Sequence, residues 1–386
     1  MSAPQPESVH PACAQLMDRA WAHERAGEWD LALEAYDQAF QRAHVLRSPE
    51  SLLEVVTRLG HSYRQAGRTP EAVEVLELAL EIAERRGATL HAARALNGLG
   101  IVRHTHGHLE EAEEAYIRGR ELARQYGSDR VVGEIEQNLG IVATIRGDFA
   151  EAEARYRAGL ASLERAGSER GAASALTNLG VLKVSQGELE QADEFFQRSL
   201  EICERTGDVM TAGNVHLNRT ELFLALGNPQ AARASCDEAY ETYSRVGNLE
   251  GQAEAMKGFG IIHRTVGKLH LAETMLRQAI QIAAEAPYPR AEADAHRELA
   301  LVLRALNRNR EALEALNRSH TLFIRLQAHT DQADIRERIN QLESDFLSLV
   351  RFWGESIEAK DRYTSGHCER VAGYACRLAS EVGMEE

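Results

Sequence analysis

Apolar positions recur along this chain with the period of about 3.6 residues that marks one face of an α-helix, and a longer beat is laid over them. In VVGEIEQNLGIVATIRGDFAEAEARYRAGLASLERAG, small and apolar residues run at helical spacing to a turn at Gly147. A second run of the same kind continues through Tyr156 to Gly167. The turn glycine returns every forty residues, at Gly27, Gly67, Gly107, Gly147, Gly187, Gly227 and Gly267, and an alanine follows each five positions later, from Ala32 to Ala272. An eighth unit has Asn307 in place of glycine and keeps the frame with Ala312. Another glycine series, Gly87, Gly127, Gly167, Gly207 and Gly247, stands where a left-handed residue commonly ends a helix. The pattern predicts a helix, a tight turn and a second helix, repeated in tandem.

Aligning the units separates core from surface. Leu59, Leu99, Leu139, Leu179, Phe259 and Leu299 form a core column, and the adjacent Gly60, Gly100, Gly140, Gly180 and Gly260 predict close approach of the paired helices. Arg219 and Thr220 interrupt both columns. On the second helix Tyr36, Leu76, Tyr116, Tyr156, Phe196, Cys236, Leu276 and Leu316 give a mostly large column. Ala39, Ala79, Gly119, Gly159, Ser199, Ala239, Ala279 and Ser319 stay small. Tandem units of this kind stack into one continuous core and present an extended surface, so binding is expected before catalysis.

Large against small at these offsets resembles the tetratricopeptide repeat family over residues 11–328, with forty residues per unit where 34 is usual. The extra residues lengthen the helices, and no proline closes the unit. The resemblance implies an all-α fold, a right-handed superhelical solenoid of about eight helix-turn-helix units, whose first helices line a concave groove for a protein or peptide. Projected onto that groove, Asn138, Asn178 and Asn218 share one column, with Asn97, Gln137 and Thr177 in the column before it. Amides there either pair with the main chain of an extended peptide or tie neighbouring helices together. Further along, Lys257, Arg264, Arg297 and Arg304, partly offset by Glu254 and Asp294, favour an acidic partner. The family's carboxylate clamp needs asparagine in a column that here reads His61, Ile101, Ile141, Val181, Glu221, Ile261 and Leu301, so that clamp is not expected.

Composition narrows the classes. With 59 acidic against 44 basic residues the formal charge is -15, which disfavours nucleic acid as a partner. Five scattered cysteines, Cys13, Cys203, Cys236, Cys368 and Cys376, suit reduced thiols in the cytoplasm rather than a disulfide framework. Residues 1–10 are expected to be disordered, and neither a secretory leader nor a membrane span is visible. His104, His106 and His108 cluster around Gly107 without a converging metal-ligand spacing and are expected to be solvated turn residues. Gly267-Lys268 lacks the rest of a phosphate loop.

Beyond the array the spacing changes. Ile335, Ile339, Leu342, Phe346, Leu349 and Trp353 step by four and three, a heptad seam within a segment of residues 329–355. It predicts either a helix capping the last repeat or a short parallel coiled coil making a homodimer through residues 335–353. Residues 356–386 follow, and Ile357 to Val371, IEAKDRYTSGHCERV, resembles the opening of an HD-GYP domain. That family of bacterial signalling proteins hydrolyses cyclic di-GMP with a pair of iron or manganese ions. The resemblance places His367 at a metal-ligand position, with Cys368 for the usual serine and Arg362 for a common proline. The chain contains no His-Asp dipeptide and no Gly-Tyr-Pro, and one histidine cannot hold two ions. No catalytic residues and no cofactor are therefore expected in this chain. The expectation is a protein-binding sensory arm of an HD-GYP-type protein whose catalytic part is absent from it. The alternatives are a phosphodiesterase, should the gene continue, and a peptide-responsive regulator that needs no tail.

Overall fold

A computed structural model describes residues 9–26, 28–286, 288–326, 332–342 and 344. Sixteen helices fall into eight antiparallel pairs: α1 (Pro11–Ala26) with α2 (Trp29–Val45), α3 (Pro49–Gln65) with α4 (Thr69–Arg86), α5 (Thr89–Thr105) with α6 (Leu109–Tyr126), and α7 (Asp129–Ile145) with α8 (Phe149–Arg165). The series continues with α9 (Glu169–Gln186) and α10 (Leu189–Thr206), α11 (Val209–Ala225) and α12 (Pro229–Val246), α13 (Leu249–Thr265) and α14 (Leu269–Glu285), and α15 (Pro289–Ala305) and α16 (Asn309–Arg325). No strand occurs among the described residues. The pairs stack as an all-α solenoid, with a last helical stretch, α17, over residues 332–342.

The glycine and large-residue columns are two sides of one contact. A methyl group added to Gly180 would lie 2.5 Å from the ring of Phe196, one on Gly140 2.5 Å from Tyr156, and one on Gly260 2.5 Å from Leu276. Phe196 and Leu276 are fully buried, and each such side chain contributes roughly 1.5–3 kcal/mol by burial alone. Where the glycine column breaks, the opposite column breaks with it: Thr220 replaces glycine in α11 and the small Cys236 replaces the ring in α12, its Sγ donating to the carbonyl of Ala255 at 3.1 Å. Arg219, in the leucine column, leaves the core to pair with Asp193 at 2.9 Å. The small column of the second helices meets main chain: Ser199 donates to the Ala173 carbonyl at 2.8 Å and Ser319 to that of Ala293 at 2.9 Å.

Turn chemistry closes each unit. Among the described residues, the two non-glycine residues with left-handed backbone stand in glycine columns, Asn307 at φ 58° and Arg47 at φ 49°. Asparagine tolerates that region, whereas a long side chain is strained there. Side-chain caps on Ser48, Ser128, Asp148, Asp208, Asn228 and Asn248 start six helices, each stabilising its helix by about 1 kcal/mol.

The two helical rows are not equivalent. Each first helix packs on the first helix of the next repeat, from α1 on α3 to α13 on α15, and no comparable row joins the second helices. The first helices thus form the tighter, inner side of the curve. At its far end Ile335 and Leu342 are buried with Leu316, Leu322 and Phe323, and Ile339 packs against the same cluster. The first half of the heptad seam covers the last repeat and is not open to a second chain. Phe346, Leu349 and Trp353, with the HD-GYP-like segment, lie outside the described residues.

Candidate functional site

The inner face divides into three zones. In the middle, the asparagine column is engaged between repeats. Asn138 Nδ2 donates to Asn97 Oδ1 at 2.8 Å, and Asn178 Nδ2 donates to Gln137 Oε1 at 3.0 Å. The third rung departs: Thr177 donates to the Ala173 carbonyl, which Ser199 also donates to, and Asn218 stays half-buried without that clasp. Beside the amides runs an aliphatic strip of Ile101, Ile141 and Val181, with Ile145 next to it. Val181 is 39% and Ile145 47% exposed, whereas Ile101 and Ile141 are half-buried against the core.

The far zone is not the basic surface that its cations suggest. Lys257 pairs with Glu254 at 2.6 Å, Arg297 with Asp294 at 2.7 Å and Arg264 with Glu298 at 3.1 Å, and Arg304 is engaged as well. Burial alone would lower the Lys257 ammonium, but Glu254, Asp294 and Glu221 outweigh it and hold it above its ordinary value. The carboxyl of Glu221 is raised by burial, and that of Glu250 by burial and by Glu254. Each cation named in this zone is already matched, so it does not single out an acidic partner.

The near zone was not anticipated. A cleft of about 280 Å³ spans α3, α5 and α7, lined by Glu54, Arg58, His61, Arg94, Arg130 and Glu134 among others. Glu54 accepts from Arg58 at 2.7 Å, His91 at 3.1 Å and Arg94 at 3.3 Å. Burial would raise this carboxyl; hydrogen bonds from His91 and Arg58 and the charges of Arg58 and Arg94 outweigh that and hold it at about 2. A second cavity, of about 270 Å³, lies between α1, α2 and α3 and is lined by Glu24, Trp29, His61, Arg64 and Gln65. Among the described residues the two linings bring Arg58, Arg64, Arg94 and Arg130 together with Glu24, Glu54 and Glu134, a near-balanced charged cluster. Column reading overlooked two of them because they depart from their columns, Arg58 standing ahead of the asparagines and His61 among aliphatics, while the Arg64 column varies, through His104, Thr144, Val184 and Leu224 to Arg264 and Arg304.

The histidine cluster holds no metal geometry. His104 Nδ1 lies 2.7 Å from the Tyr116 hydroxyl, so this residue is packed rather than solvated, while His106 Nδ1 lies 2.8 Å from the Val102 carbonyl. Among the described residues no group of His, Cys, Asp or Glu converges as a metal site, and no helix is long and apolar enough to cross a membrane. His367 lies outside the described residues.

No curated protein matches the chain. Among solved structures it is similar to a Rap protein complexed with Competence and Sporulation Factor, at 13% identity and a TM-score of 0.57, over 88% of this chain and 99% of that one. It is also similar to the apo form of RapI, at 14% identity and a TM-score of 0.56, over 72% of this chain and 99% of that one. The sequence profile of the tetratricopeptide repeat family matches residues 12–85, 51–125, 131–205 and 211–285, short of the HD-GYP-like segment. With more than half of its length matched and the paired-helix geometry present from Pro11 to Arg325, the chain belongs to the tetratricopeptide repeat family.

Proposed function

We infer that the inner face binds an extended segment of protein chain, and that the array serves as the recognition arm of a regulatory protein. The observation that carries this is the aliphatic strip, half-buried at Ile101 and Ile141 and exposed at Ile145 and Val181, running beside half-buried amides on the tight row of first helices. Asn138 and Asn178 each spend one N–H on the neighbouring repeat, and a second N–H and the carbonyl of each remain for the main chain of a guest. Apolar contact gives affinity there and main-chain pairing gives register. A Rap protein of the same fold was solved with a bound factor, which supports a regulator of that type. A cytoplasmic setting suits the free, buried Cys13, Cys203 and Cys236.

The test is binding of a degenerate decapeptide pool to the full chain, followed by fluorescence anisotropy, with Val181→Arg as the perturbing variant. A charge on the strip is expected to abolish binding while helicity and melting stay unchanged. Binding of the pool to Val181→Arg as to the parent refutes the groove.

The HD-GYP resemblance of residues 357–371 supports a second, finer assignment, in which the array is the sensory arm of a cyclic di-GMP signalling protein. Metal analysis of the purified chain tests its catalytic side. Stoichiometric iron or manganese would make this chain a phosphodiesterase in its own right and overturn the binding-arm assignment.

A further inference from the structure

The junction between α10 and α11 is built differently from its neighbours. Elsewhere an apolar residue of the first helix shares a buried cluster with the repeat before it: Leu59 with Tyr36, Leu139 with Tyr116, Leu179 with Tyr156, Phe259 with Cys236 and Leu299 with Leu276. Between α10 and α11 that position is Arg219, and the buried cluster of Ala192, Phe196, Val215 and Leu222 closes without it. The Arg219 guanidinium reaches back to Asp193 on α10, with Nε at 3.0 Å and a terminal nitrogen at 2.9 Å from one carboxylate oxygen, and it lies over the Phe223 ring. Asp193 is 40% exposed, so water and salt reach the pair. The inner row changes at the same step. An amide clasp joins α5 to α7 and α7 to α9, and it stops there, because Thr177 turns to its own helix and Asn218 is left without it.

We propose that the α10–α11 junction is the hinge of the array, with the Arg219–Asp193 pair as its latch. A buried leucine fits one arrangement of its neighbours, because interiors are close-packed and a shifted helix loses contacts at once. A guanidinium on a long flexible stem keeps its carboxylate while the helices slide, so the ionic junction tolerates angles that the packed junctions do not. The break inside the following repeat does not add to this, since Thr220 and Cys236 are both buried and close α11 on α12. The joint also divides the inner face. Ile101, Ile141, Ile145 and Val181 lie before it, and Glu221, in the column of Val181, lies after it. Turning about α11 therefore swings the far half, which ends in α17, against the half that carries the aliphatic strip. The hinge does not depend on what the inner face binds.

The test is pulsed electron–electron double resonance on the full, unliganded chain, with nitroxides attached through p-acetylphenylalanine so that the native cysteines stay untouched. Leu78, Ala158 and Glu238 are exposed and share one column of the second helices, two repeats apart. They give two rulers of equal span: positions 78 and 158 bracket packed junctions, and positions 158 and 238 bracket α10–α11. The second ruler is expected to show the broader distance distribution. Raising salt from about 0.1 M to about 1 M, which shortens the screening length from about 10 Å to about 3 Å, is expected to broaden it further and to leave the first unchanged. Arg219→Leu returns the column to leucine and is expected to narrow the second ruler to the width of the first. Asp193→Asn, a change at a well-exposed side chain, is expected to broaden it. Equal widths for the two rulers in the parent overturn the hinge. A broad second ruler that Arg219→Leu, Asp193→Asn and salt all leave unchanged overturns the latch and, with it, the proposal.

Discussion

The contact between Gly180 in α9 and Phe196 in α10 is the most demanding test of how this array is built. A methyl at Gly180 would stand 2.5, 2.7 and 2.9 Å from three atoms of a ring that is fully buried and has nowhere to turn. Overpacking of this kind costs about 1–3 kcal/mol, and with three atoms involved the upper half of that range applies. Alanine returns about 1 kcal/mol of helix propensity, so Gly180→Ala is expected to destabilise by about 1–2 kcal/mol net. Phe196→Cys alone empties a ring-sized space, at roughly 3 kcal/mol.

The next repeat contains the answer to both defects, Thr220 facing Cys236. Grafting that pair as Gly180→Thr with Phe196→Cys is expected to cost less than the sum of the two single changes by about 1–3 kcal/mol, the coupling typical of touching residues. Gly187→Ala provides the control: it meets no atoms, but its φ of 76° penalises alanine by about 1–2 kcal/mol, and Phe196→Cys will not relieve it. Guanidinium unfolding followed by circular dichroism gives the energies. Hydrogen exchange over α9 and α10 separates local opening from global loss, since stacked repeats can open piecewise. A neutral Gly180→Ala, or a double variant that merely adds its parts, refutes the large-against-small account.

Three further outcomes follow from the charges and turns. Glu54 is held at about 2 when folded against 4.5 unperturbed, so its contribution, on the order of 3 kcal/mol, is present above pH 4.5 and lost as pH falls toward 2; acid titration of the unfolding midpoint should lose that limb in Glu54→Gln. Glu136, almost fully buried, accepts from Arg124 at 2.9 Å, Arg155 at 3.1 Å and Arg120 at 3.3 Å, and Glu136→Ala is expected to cost about 3 kcal/mol in denaturant unfolding because it strands Arg120, the most deeply buried of the three cations. Arg47→Gly relieves a left-handed arginine worth about 1–2 kcal/mol against the extra chain entropy of glycine, and should raise the melting temperature slightly, whereas Arg47→Val should lower it.

Helix boundaries, turns and core columns were legible because each answers a demand that recurs within one unit, as Gly180 answers Phe196 sixteen residues on. The asparagine column was not, because an amide looks the same in sequence whether it faces a guest or the neighbouring helix. Only the placement of Asn138 over Asn97, one repeat away, decides that. The far cations were half legible: Glu254 to Lys257 and Asp294 to Arg297 are ordinary i, i+3 pairs, while Arg264 to Glu298 crosses repeats. The near cluster was missed because attention to what repeats hides what does not. Breaks in a periodic array fall into two physical kinds. At Thr220 the break is answered from within by Cys236, and the core closes as well as before. At Arg64 the column makes no fixed demand: it runs through His104, Thr144, Val184 and Leu224 to Arg264 and Arg304, so what stands there varies without reopening the core.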